Sequence, residues 1–142
     1  MGSTYNQDAE HLRLLSIFHY IEAGLAAMVA CIPIIHLVIG IVLLTHPEVF
    51  SSKGEAPPAI LGSIFVLIGG VFVLTGFALA TAIFFAGRAL AQRRHYWFCF
   101  VIAAVNCMFP PVGTALGVFT IIVLMRPSVK AVFGIEPAPA GP

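Results

Sequence analysis

The chain has 142 residues, of which 60% are hydrophobic and 9% charged, with a formal net charge of +1 and a mean hydropathy of +1.03. A water-soluble domain carries about 25% charged residues, so this composition excludes an ordinary solvated fold. The basic residues are few and have no interleaved aromatics, which excludes nucleic acid as a partner.

The N-terminal segment contains Asp8 and Glu10 but no Lys or Arg before Arg13, and no small-residue cleavage site follows the first apolar run. It therefore does not read as a signal peptide. Residues 8–20 are predicted as a helix along the membrane interface, with apolar area from Leu12, Leu14, Leu15, Ile17 and Phe18. Asp8, His11, His19 and Glu22 share one helical face. Two imidazoles and two carboxylates could bind a divalent metal. The two histidines are eight residues apart, about 12 Å, too far for both to reach one ion without a second helix. The plain expectation is a polar face turned toward the cytoplasmic surface.

The first span is predicted at about 21–45, interrupted by Pro33 and His36. Its roughly 25 residues can cross a hydrocarbon core of about 30 Å at about 1.5 Å per residue. Residues 46–57 form a polar loop with Glu48, Lys53 and Glu55. The second span is predicted at about 58–91. The third, at 94–109, starts beside the aromatic cluster Tyr96-Trp97-Phe98, and the fourth, at 111–126, follows Pro110-Pro111. The two prolines favour a helix end over one long kinked helix. The last two segments are short, which leaves a re-entrant hairpin open as an alternative to full crossing. Residues 1–134 are read as a single membrane domain and 135–142 as a disordered tail rich in proline.

Lys and Arg number seven. With four crossings, Arg13, Arg88, Arg93, Arg94, Arg126 and Lys130 fall on one side and Lys53 alone on the other. This bias orients the chain with both termini in the cytoplasm. Arg88, Arg93, Arg94, Trp97, Arg126 and Lys130 are then the cytoplasmic anchors. The fold class is thus an all-α, four-helix transmembrane bundle with an interfacial N-terminal helix.

In lipid, small residues mark the faces where helices meet. Gly62, Gly69 and Gly76 recur at intervals of seven, continued by Ala80 and Gly87, and Gly113 with Gly117 makes one further step. These faces serve either packing within the chain or contact with a second subunit. Polar residues inside spans are functional candidates. His36 and Asn106 both lie toward the outer end, and a hydrogen bond between them is the expected tie. Cys31, Cys99 and Cys107 lie in apolar runs and are read as free, buried thiols. No nucleophile with its base, paired carboxylate or phosphate loop is apparent, so no enzyme, metal or cofactor is expected. One haem between His19 and His95 is retained as an alternative.

The stretch FPPVGTALGVFTIIVLMRPSVKAVF (109–133), together with HLRLLSIFHYIEAGL (11–25), resembles small uncharacterised bacterial membrane proteins of about four spans. The resemblance implies the bacterial inner membrane and carries no catalytic or ligand residues. The leading function is a non-catalytic integral membrane protein that self-associates or serves as an accessory subunit of a larger complex. The alternatives are an oligomeric, holin-like pore and a haem- or metal-binding electron carrier.

Overall fold

The computed structural model describes residues 2–51, 58–109 and 111–135, with side chains from Gln7 onward. Every regular element among them is helical: α1 Gly2–Ala30, α2 Ile34–Thr45, a 3₁₀ turn Pro47–Phe50, α3 Ala59–Gln92, α4 Tyr96–Asn106, α5 Val112–Leu124 and α6 Pro127–Val132. Gln7–Thr45 and Ala59–Gln92 are long and apolar enough to cross a membrane, while α4 and α5 are apolar but shorter. The second half of the predicted polar loop, with Lys53 and Glu55, lies outside the described residues. So do Pro110 and positions 136–142 of the predicted tail.

The helix boundaries follow backbone chemistry. α1 runs unbroken through the expected junction at residues 20–21, because Tyr20, Ile21 and Glu22 offer nothing that stops a helix. It breaks instead at Cys31–Pro33. Pro33 has no N–H to give to the Val29 carbonyl, and the Ile32 N–H takes that carbonyl at 3.0 Å in a tighter turn. α3 ends in a Schellman turn: the Arg94 N–H reaches the Ala89 carbonyl at 3.0 Å and the Arg93 N–H reaches Leu90 at 3.2 Å. Arg93 (φ 54°) and His95 (φ 56°) both take left-handed backbone there, at a cost of roughly 1–2 kcal/mol each for an L side chain. The same turn closes α6, with Gly134 at φ 73° in the left-handed position. The 3₁₀ turn and α6 are additions to the predicted elements. In the first of these, His46 Nδ1 lies 3.0 Å from Glu48 Oε1. The Glu48 backbone N–H and then His46 hold that exposed carboxyl below its ordinary pKa.

The predicted single domain packs as two compact units, residues 24–80 and residues 1–23 with 81–142. Within the first, α3 runs antiparallel to the α1 end and α2. A Cβ at Gly62 would lie 2.9 Å from Leu44, one at Gly69 would lie 2.9 Å from the Leu37 nitrogen, and one at Gly76 would lie 2.7 Å from the Ala30 Cβ. Both sides of this ladder step by seven, in opposite directions, as an antiparallel coiled-coil seam requires. Gly40 completes it, because a Cβ there would sit 2.8 Å from the Val66 nitrogen. Gly62, Gly69 and Gly76 are therefore spent on contact within the chain.

The second unit is built on Leu12, Leu15, Ala89, Leu90, Tyr96, Cys99, Val123, Leu124 and Val129, with Phe133 and Ile135 packed against them. Ala80, at the end of the other unit's α3 section, is buried.

The ladder makes a quantitative expectation. Gly69→Leu or Gly76→Leu forces side-chain atoms onto backbone and should lower stability by at least about 2 kcal/mol. At Gly24 nothing lies within 4 Å of an added Cβ, so Gly24→Ala should be neutral or stabilising by up to about 1 kcal/mol. Helicity followed through a denaturing-detergent titration distinguishes the two; equal effects at both positions would remove the ladder from the account.

Candidate functional site

Four polar residues of α1, namely Asp8, Ser16, His19 and Glu22, are buried, while Glu10, His11 and Arg13 are exposed. Asp8, Leu12, Leu15, Ser16, His19, Glu22 and Ala23 are all buried, at the spacing of one helical face. The opposite face shows Leu14, Ile17, Phe18, Ile21 and Leu25, each exposed. Of the four residues expected on a water-facing polar surface, only His11 is exposed; Asp8, His19 and Glu22 point inward. That expectation is corrected. Spacing shows which residues share a face, but only packing decides what the face meets.

Near the C-terminal end of this face lies Glu22. Asn106, the last residue of α4, donates from Nδ2 to Glu22 Oε2 at 2.8 Å. Asn106 is fully buried and Glu22 only 8% exposed. Gly113 at the start of α5 makes room for the pair, since a Cβ there would lie 3.2 Å from Glu22 Oε1 and 2.7 Å from the Asn106 carbonyl. Gly117 packs one turn later against the Ala103 carbonyl, so tightly that no Cβ fits. The partner of Asn106 is thus a carboxyl from α1, where His36 was expected. His36 is exposed and stacks its ring on Phe65 at a centroid distance of 6.0 Å.

One turn before Glu22, His19 is also fully buried. Its Nδ1 lies 2.9 Å from the Leu15 carbonyl. A carbonyl only accepts, so Nδ1 carries a hydrogen, and in the neutral ring Nε2 presents a bare lone pair. Among the described residues, His19 Nε2 and Asn106 Oδ1 are the buried side-chain atoms without a hydrogen-bond partner. Neighbouring polar groups are satisfied locally. Ser16 donates to the Gly87 carbonyl at 2.8 Å, and Thr120 donates to Leu116 at 2.7 Å. Thr114 donates to the Cys107 carbonyl at 2.9 Å, covering an acceptor at the α4 end.

The other end of this unit is basic. Arg126 Nη1 meets Asp8 Oδ1 at 3.4 Å. The Tyr96 hydroxyl donates to the Leu124 carbonyl at 3.0 Å, tying the α4 start to the α5 end. Trp97 stands 72% exposed beside Tyr96. Arg88, His95, Gln92, Phe85, Ala89 and Phe98 line an open groove of about 390 Å³. His19 is not among the residues that line that groove with His95. Lys130 is half-buried on α6 and Arg94 is exposed. Cys31, Cys99 and Cys107 are free thiols, but of the three expected to be buried only Cys99 is; Cys107 is half-buried and Cys31 is exposed. No group of three or more His, Cys, Asp or Glu that could hold a metal ion occurs among the described residues.

Compared with models of protein families, with curated proteins and with solved structures, the chain matches none. The Glu22–Asn106 pair was missed in the sequence because the two residues are 84 positions apart. The available signal was a lone carboxyl and a lone amide in otherwise apolar stretches.

The α4–α5 contact should be far less tolerant than the hydrogen bond at its base. Gly117→Ala pushes a methyl into the Ala103 carbonyl and should lower stability by about 2 kcal/mol. Tyr96→Phe removes one hydrogen bond and should cost about 1 kcal/mol or less in an apolar surrounding. The same detergent titration reads both, and a reversed order would show that the helices are not in close contact at Gly117.

Proposed function

We propose that this chain is a small integral membrane protein that works through association, either with itself or as an accessory subunit of a larger membrane complex. The observation that carries the reading is its inverted surface. Buried positions include Asp8, His19, Glu22, Asn106 and Thr120, while Phe18, Met28, Leu67, Leu74, Trp97, Met108 and Phe119 are among the exposed ones. In water such a distribution would expose apolar surface far beyond the few hundred Å² usual for a soluble monomer. In lipid it is the favourable arrangement.

In the proposed topology the basic end that holds Arg126, Arg94 and Trp97 faces the cytoplasm, in keeping with the positive-inside bias and the interfacial preference of Trp. Gln7–Thr45 and Ala59–Gln92 cross the bilayer. α4 and α5 contain 11 and 13 residues, or roughly 17 and 20 Å of helix, short of a hydrocarbon core of about 30 Å. Their connecting turn is apolar and exposed, with Met108 at 78%, Phe109 at 51% and Val112 at 55%. Both facts favour a re-entrant hairpin that enters and leaves on the cytoplasmic side. This keeps the cytoplasmic termini of a four-span bundle without requiring α4 and α5 to reach the far face.

Labelling tests the topology. In a cysteine-free background, Met108→Cys should resist a membrane-impermeant maleimide from either side, whereas Ser51→Cys should react from outside only. Reaction of Met108→Cys from outside would restore full crossings. Gentle purification from the native membrane, with mass and absorbance measured on one elution peak, tests the function. A colourless multiple of 15.1 kDa, or a peak shared with other membrane proteins, supports association. Ion current in liposomes would replace this reading with a pore, and a Soret band would replace it with an electron carrier.

A further inference from the structure

The hydrogen-bond inventory around Glu22 is short of donors. The acceptors are Glu22 Oε1 and Oε2, Asn106 Oδ1 and His19 Nε2; the side-chain donor directed at them is Asn106 Nδ2, which gives its bond to Oε2 at 2.8 Å. Asn106 Oδ1 and His19 Nε2 are left without partners, and both residues are 0% exposed. A buried acceptor without a donor is rare and calls for a physical cause.

The charge inventory points the same way. On α1 the titratable neighbour is His19, whose Nδ1 hydrogen is committed to Leu15. The α4 helix brings Tyr96 and Cys99, and Cys107 follows its end; the Tyr96 hydroxyl is held on Leu124, Cys99 Sγ donates to the Ala86 carbonyl and Cys107 Sγ to Ala103. All of α5 contains no titratable side chain. The α3 section in this unit carries Arg88, which is exposed and lines the groove with His95. Arg126 is engaged with Asp8, fourteen residues and about 20 Å of helix from Glu22. Among the described residues, none of these groups places a cation on a carboxylate at Glu22, and an uncompensated buried charge is strongly disfavoured.

One added hydrogen removes the buried charge and gives Asn106 Oδ1 a donor, leaving His19 Nε2 as an acceptor. A carboxylic acid and a primary amide can pair through two hydrogen bonds, the amide N–H to one carboxyl oxygen and the acid O–H to the amide oxygen. The first of these is present, and the acceptor for the second is the orphaned Asn106 Oδ1. We propose that Glu22 and Asn106 form a proton-binding site in which Glu22 holds a proton shared with Asn106 Oδ1, and the bare Nε2 of His19, one turn away on α1, is the neighbouring acceptor.

Infrared spectroscopy of the full chain, reconstituted in phosphatidylcholine vesicles at pH 7, tests this directly. Wild type should show the C=O stretch of one protonated carboxyl per chain, shifted by ¹³C-glutamate labelling. Glu22→Gln should abolish it while preserving the pairing with Asn106. Asn106→Ala should shift the band, because the acid loses its amide partner. The labelled wild type needs no mutation, so it decides the matter even if a variant fails to fold. Absence of the band in wild type would overturn the proposal and assign the orphaned acceptors to a bridging water. A band unchanged in Glu22→Gln, or unmoved in Asn106→Ala, would also overturn it.

Discussion

A polar group packed inside an apolar envelope has no solvent to return to, and the rest of this structure follows from that constraint. The outer faces carry Leu, Ile, Val, Phe and Met, so each buried hydroxyl, amide and carboxyl depends on the chain itself. Ser16, Thr114, Thr120 and Tyr96 meet the constraint with backbone carbonyls. The pair Glu22 and Asn106 meets it by joining α1 to α4. Where such bonds are few, each one fixes a rotation and a depth for the helices it joins. That specificity is a better account of their role than net stability, because a single such hydrogen bond contributes only about 1 kcal/mol.

Close approach is the second organising element, and glycine makes it. In residues 24–80 the glycines of α3 admit Leu44, Leu37 and Ala30 at distances no Cβ would permit. In the other unit, Gly113 and Gly117 let α5 lie against the carbonyls of Asn106 and Ala103. Dispersion grows steeply as surfaces close, so removing a single carbon from the seam gains contact along a whole turn. The two effects meet at Gly113, where the missing Cβ creates both the helix contact and the space occupied by the Glu22 carboxyl.

Much of the architecture was legible in the sequence. The second predicted span, 58–91, differs from α3 by one residue at each end, because an apolar stretch without charge from Ala59 to Gly87, bounded by Pro58 and the Arg93–Arg94 pair, has few alternatives. Pro110-Pro111 and the aromatic cluster bounded α4 and α5 for the same reason. The first helix was divided at the wrong place. Change of composition near residue 20 suggested a boundary, whereas Pro33, which alters the backbone itself, made the actual one. Gly40 was overlooked because a single glycine has no period of its own; its meaning appears only opposite Val66.

The sequence by itself determined the all-helical class, the long apolar stretches and the asymmetric placement of the basic residues. These are local properties, set by composition, periodicity and backbone chemistry over a few turns. Tertiary structure alone decided that Asp8, His19 and Glu22 face inward, that Asn106 joins Glu22 and not His36, and that the glycine ladder is consumed within the chain. The physical reason is common to all three. A helical pattern specifies which side chains share a face, but the partner of that face comes from residues tens of positions away. The energy of burying a polar group depends on that partner.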